Sequence, residues 1–158
     1  MTGRFLLFLV IAAISARGFG QVQGEEDLYG KWRILGDFRD GEQTLEALKD
    51  TIKNPKHYYF YFNSDGTYTS DVVSLKWGYK GKQMKGKWEL DSAGQNITFT
   101  RFLSRKEQRK IPKQWVEKHA NGSFTLVPVK DPVIEFSDGK LVLYDEQHKT
   151  YDVYVKQK

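Results

Sequence analysis

Arg101 makes the sharpest chemical demand in this chain. It follows Ile97 and Phe99 at alternate positions of an extended segment, so strict alternation sets its guanidinium on their apolar face. A cation on an inward face needs an anionic partner or a ring of acceptors, because burying it unpaired is costly. A ligand carboxylate meets that need, and so does a carboxylate of the protein itself. An earlier strand end, or a bulge turning the side chain outward, removes the need altogether.

The other reactive residue types form no catalytic set. Cysteine is absent, no Gly-x-Ser-x-Gly elbow occurs, and the three histidines, His57, His119 and His148, are scattered without the close spacing of a zinc site. Glu25-Glu26-Asp27 and Asp145-Glu146 are paired carboxylates in a leader and a predicted turn, where solvation accounts for them. We therefore expect no enzyme, no metal and no cofactor. The segment from Arg101 to Lys118 concentrates Arg105, Lys106, Arg109, Lys110 and Lys113. It reads as a solvated helix face with Ile111, Trp115 and Val116 docked inward, or as a surface for an anionic glycan, a lipid headgroup or an acidic protein partner.

The first twenty residues read as an export signal. Arg4 precedes an apolar run from Phe5 to Ile14 that is too short to span a bilayer, and Gly18-Phe19-Gly20 supplies small residues for cleavage. The remaining length suits a single domain, with residues 21–27 as a flexible leader and 28–158 as the folded unit. No stable membrane insertion is expected, and the compartment is secreted or periplasmic. The formal charge of +5 includes Arg4 and Arg17 of the signal and is too mild for nucleic acid.

Aromatic residues make up 15% of the chain, with Tyr58-Tyr59-Phe60-Tyr61-Phe62 in succession. Such residues favour pleated sheet and line apolar interiors. A first strand spans about 28–36, with Trp32 and Ile34 on one face. Asp40 and Gln43 form a capping-box pattern that opens a helix ending at Asn54-Pro55. A hairpin follows, from His57 to Asn63, around Ser64-Asp65-Gly66, and back along Thr67 to about Tyr79, with a parity shift that signals a bulge. Met84, Gly86, Trp88 and Leu90 share one face of the next strand. Ser104 to Glu107 is a second capping box, opening a helical or lid segment near 105–120. Further strands, with Asp138-Gly139 as a tight turn, bring the count to eight or nine.

Gly30-Lys31-Trp32, Asn63-Ser64-Asp65-Gly66-Thr67-Tyr68-Thr69, Gly86-Lys87-Trp88-Glu89-Leu90 and Ser137-Asp138-Gly139-Lys140-Leu141-Val142-Leu143 together resemble the lipocalin-like domains of secreted bacterial proteins, in the calycin superfamily. The resemblance covers nearly all the chain after the signal. It implies an all-β, antiparallel up-and-down barrel, with Gly30 and Trp32 at its closed end and Lys156 where a basic residue, usually arginine, covers the indole. Similar barrels that bind fatty acids use interior arginines. The expected function is non-enzymatic binding of a small hydrophobic or amphiphilic molecule, lined by Arg101, Tyr59, Tyr61, Tyr68, Trp77, Met84 and Phe99. The alternative is a side-chain-filled barrel that acts by its surface.

Overall fold

The computed structural model describes residues 21–39, 42–43, 59–71 and 83–158. Eleven strands are present among them: β1 (Gly30–Arg39), β2 (Glu42–Gln43), β3 (Tyr59–Phe62), β4 (Thr67–Ser70), β5 (Met84–Leu90), β6 (Asn96–Leu103), β7 (Val116–Lys118), β8 (Phe124–Leu126), β9 (Val129–Ser137), β10 (Lys140–Asp145) and β11 (Thr150–Lys156). Eight of them close a ring in the order β1-β3-β4-β5-β6-β9-β10-β11, every pair antiparallel. The last strand bonds to the first, with Trp32 opposite Lys156 and Ile34 opposite Tyr154. This is a closed up-and-down barrel of calycin-like form. Closure leaves no free edge in the ring, and alternation then sends every second side chain inward.

The hairpin turns follow their residue types. Asp138 and Gly139 both take positive φ, 46° and 76°, as a two-residue turn matched to strand twist requires. At the other tight bend, the Asn63 N–H donates to the Thr67 carbonyl at 2.9 Å, and Gly66 supplies the positive φ. Bulges fall between Ile34 and Gly36 in β1 and at Ile134 in β9, opposite Val142 and Leu143, where the ring must bend. The bulge read after Tyr68 lies outside the described residues.

Three expectations need correction or restriction. Residues 21–27 are docked: Val22 is buried, its N–H donates to the Gly94 carbonyl at 3.0 Å, and Glu25–Leu28 forms a short helix, α1, over one barrel end. One buried apolar side chain and a few hydrogen bonds, among them Gln21 to the Ala93 carbonyl and Lys156 to the Asp27 carbonyl, hold them, a signal too small for composition to reveal. Glu42 and Gln43 pair back on Arg39 and Phe38 as β2, so the helix read from Asp40 does not begin there; 44–58 lies outside the described residues.

Over 105–120 the capping box does form. The Ser104 N–H donates to Glu107 Oε2 at 2.9 Å, and the Glu107 N–H donates to Ser104 Oγ at 3.2 Å. It opens only two single 3-10 turns, Gln108–Lys110 and Lys113–Trp115, because Pro112 interrupts any longer helix. The chain then continues as β7, which pairs with β8 beyond the ring.

Candidate functional site

The barrel has two unlike ends. At the closed end Trp32, Phe62, Ile97 and Leu141 are fully buried beneath α1. The Trp32 indole N–H donates to the Leu28 carbonyl at 2.7 Å, tying the floor to α1. Lys156 Nζ lies 5.4 Å from the Trp32 ring centroid and donates to the Asp27 carbonyl at 2.6 Å. The basic contact expected over the indole is thus made by lysine. Gly30 enters β1 at φ 115°, a conformation that L side chains rarely adopt, and so completes the trio that seals this end.

Above that floor the rings interlock. Phe60 stacks on Tyr68 at 4.9 Å and meets Phe99 and Tyr154 edge-on at 5.6 and 6.0 Å. Phe62 meets Trp88 edge-on at 5.1 Å. Edge and offset contacts of this kind stabilise beyond simple burial. Gly86 makes the Tyr68 position possible, since a Cβ there would stand 2.5 Å from the Tyr68 ring and collide with the Thr100 carbonyl.

Toward the other end the interior is mixed: Ser70, Leu103, Leu143 and Thr150 are buried there, whereas other inward side chains stay partly open to solvent. Met84, Phe99, Arg101, Asp131 and Asp152 are all intermediate in exposure, although the register places each on the inner surface. Inward-facing Val129, opposite Phe99, is exposed.

Arg101 points inward as alternation requires, and its partner is a protein carboxylate. Nη2 donates to Glu107 Oε1 at 2.9 Å, with both side chains largely buried. Burial pushes the Glu107 carboxyl up, but hydrogen bonds from Ser104, then the charge and hydrogen bond of Arg101, outweigh it and leave it below the usual range. The capping box thus aims a counter-charge into the barrel. Sequence reading found its residues without connecting Glu107 to Arg101. The Tyr68 hydroxyl is pushed up to about 12 by burial, with the Arg101 charge pulling the other way.

Tyr68, Met84, Phe99 and Arg101 are therefore gathered on the inner surface. Tyr59 and Tyr61 are not. Phe60 and Phe62 are the buried residues of β3, so the alternate positions face outward; Lys31 Nζ sits 3.8 Å from the Tyr59 ring centroid on that outer face. Five consecutive aromatics gave no parity signal, and both faces looked equally apolar. Trp77 lies outside the described residues.

Sequence reading missed a carboxylate group on the inner surface. Asp131 stands opposite Ile97, Asp145 opposite Thr150, and Asp152 opposite Leu143. The Asp131 carboxyl is pushed up to about 7, mainly by burial, then by Asp145 and Glu146, with His148 opposing. Tyr154 donates to Asp152 Oδ2 at 3.4 Å, and its hydroxyl is raised well above the ordinary value by burial and by Asp152 and Asp131. The period-two pattern continued through Asp131 and Val133 would have flagged the first of these. Among the described residues, no group of three or more metal-ligating side chains has metal-site geometry, and no helix is long and apolar enough to cross a membrane.

The chain matches no family model and no curated protein. Among solved structures it is similar to an uncharacterized protein from Bacteroides eggerthii, at 17% identity and a TM-score of 0.46, covering 82% of this chain and 99% of that one. It is also similar to a DUF4847 family protein from Bacteroides vulgatus, at 16% identity and a TM-score of 0.45, covering 85% and 96% respectively.

Proposed function

We propose that this is an exported, non-enzymatic binding protein that holds a small hydrophobic or amphiphilic molecule in the open half of its barrel. One observation carries the reading: inward side chains are sealed at the α1 end, whereas Met84, Phe99, Arg101, Val129 and Asp131 keep contact with solvent toward the other, over an aromatic floor of Phe60, Tyr68 and Phe99. A half-open apolar interior with a few polar groups is the usual form of a small-molecule site. The resemblance to lipocalin-like domains supports the same use of the fold. The apolar run after Arg4 and the small residues before Gln21 support export to a secreted or periplasmic location.

Trp88 touches the aromatic floor through Phe62, so occupancy of the open half reaches its emission. Titration with dodecan-1-ol, below its solubility limit in water, is expected to change tryptophan emission saturably. Native mass spectrometry of protein purified from its own host is expected to show an added small-molecule mass. No saturable change together with a bare polypeptide mass would sink the proposal.

That outcome favours action by the outer surface. Phe102 and Trp115 are 42% and 41% exposed in and beside the β6-β8-β7 extension, next to exposed Arg105, Lys106 and Lys113. Such residues suit a protein or anionic glycan partner.

A further inference from the structure

We propose that the molecule held in the open half carries a cationic, hydrogen-bond-donating head, as an alkylamine does, and that Asp131 and Thr150 receive it. The inference rests on the binding reading above and assigns that ligand its charge.

Three neighbouring strands bring oxygen atoms to one patch of the inner surface. Asp145 of β10 lies directly opposite Thr150 of β11. On the other side of β10, Leu143 pairs with Val133, which places inward-facing Asp131 of β9 beside Asp145. Asp152 follows Thr150 at the next inward position of β11.

Two of these groups have oxygen atoms whose hydrogen-bonding capacity is unused. Thr150 is only 3% exposed, yet its hydroxyl has no hydrogen-bond partner. Asp131 Oδ1 is equally enclosed and equally without one. Buried polar atoms are almost always satisfied, and an orphaned one costs about 1–3 kcal/mol. Two orphans on β9 and β11, the strands that flank β10 on one inner surface, therefore point to a group that arrives from outside.

The chemistry of that group follows from what the patch lacks. An ammonium offers three donors and no acceptor, which matches the Asp131 carboxylate and the accepting oxygen of Thr150. A carboxylate or phosphate head brings further negative charge beside Asp131, whose own carboxyl is already crowded by Asp145 and Glu146. Arg101, the cation on the same inner surface, is held by Glu107. Asp145 is engaged by its own turn, accepting from the His148 N–H at 2.9 Å and meeting His148 Nδ1 at 2.5 Å. With the head on Asp131 and Thr150, an alkyl chain runs toward Phe99, Val129 and Met84, the apolar part of the open half.

The test compares three probes of equal chain length, dodecylamine, dodecanoate and dodecan-1-ol, by calorimetric titration below micelle formation and, for the alcohol, below its solubility limit in water. Dodecylamine is expected to bind about tenfold or more tightly than dodecanoate. Asp131→Asn, which keeps the side-chain volume, is expected to remove most of that preference while changing dodecan-1-ol affinity far less than dodecylamine affinity. Thr150→Val is expected to weaken dodecylamine severalfold and the alcohol by less. The alcohol also reports on the folded interior of each variant. If the alcohol binds but dodecanoate equals or exceeds the amine, or if Asp131→Asn binds all three as the parent does, the cationic-head assignment falls and the binding reading stands. If none of the three binds, both fall.

Discussion

The two halves of this barrel are made of the same alternating strands and serve opposite ends. In the α1 half, inward positions carry Trp32, Phe62, Trp88, Ile97 and Leu141, and the chain before β1 lies across them. In the other half, inward positions carry Met84, Arg101, Asp131, Thr150 and Asp152, and polar groups replace apolar contact. Burying apolar area contributes about 25 cal/mol per Å², whereas each buried polar group costs unless it is paired. The first half thus carries the stability that lets the second keep an open, polar, partly unsatisfied surface. Small barrels face this division generally, because one ring of strands cannot pack its whole interior and also admit a ligand.

The comparison is most directly broken by removing the anchor of the sealed half. Trp32→Ala deletes a fully buried indole, its bond to Leu28 and the ring face beneath Lys156. We expect a loss of about 3–5 kcal/mol in urea unfolding followed by circular dichroism. A loss under about 1 kcal/mol would mean that stability is spread evenly along the barrel and the division is wrong.

A smaller effect belongs to the open half and depends on pH. Folding raises the Asp131 carboxyl from 3.8 to about 7. A carboxyl raised on folding favours the native state while protonated, so this contribution is complete below about pH 3.8 and is lost as pH climbs through about 7. Asp131→Asn cannot ionise. The parent should therefore lose about 1–3 kcal/mol relative to the variant between pH 4 and 7, with partial exposure of the site limiting the size. Parallel stability curves across that window would place Asp131 in ordinary solvent.

The sealed half was largely legible in the sequence and the open half was not. Trp32, Ile34, Trp88, Ile97 and Phe99 sit at clean alternate positions, and Asp138-Gly139 names its own turn, so ring and faces follow from period and turn chemistry. Arg101 was placed inward by the same rule. Its ion pair to Glu107 was hidden because it needs the chain to turn back at Ser104, a tertiary event that the capping box announces without aiming. The Asp131, Thr150 and Asp152 group comes from two strands separated by a third, and no local spacing connects them. The docking of Val22 on Gly94 likewise joins segments far apart in the chain. There the Gly94 backbone, at φ 66°, leaves room for the Val22 carbonyl that a Cβ would occupy.

The smallest expected effect sharpens the comparison at a single strand. Tyr61 and Phe62 are adjacent in β3, and the barrel wall runs between them: Phe62 packs on Trp88 and Trp32 inside, whereas Tyr61 pairs with Tyr59 at 6.4 Å outside. Truncating an outward side chain at such a position typically costs no more than about 0.5–1 kcal/mol. Tyr61→Ala should therefore leave dodecan-1-ol affinity within about twofold of the parent. Phe99→Ala, which removes part of the aromatic floor, should lower it severalfold. If the two variants lose affinity equally, the ligand does not distinguish the inner face of the wall from the outer one. The outer face, with its exposed Phe102 and Trp115, would then be the place to look for the partner.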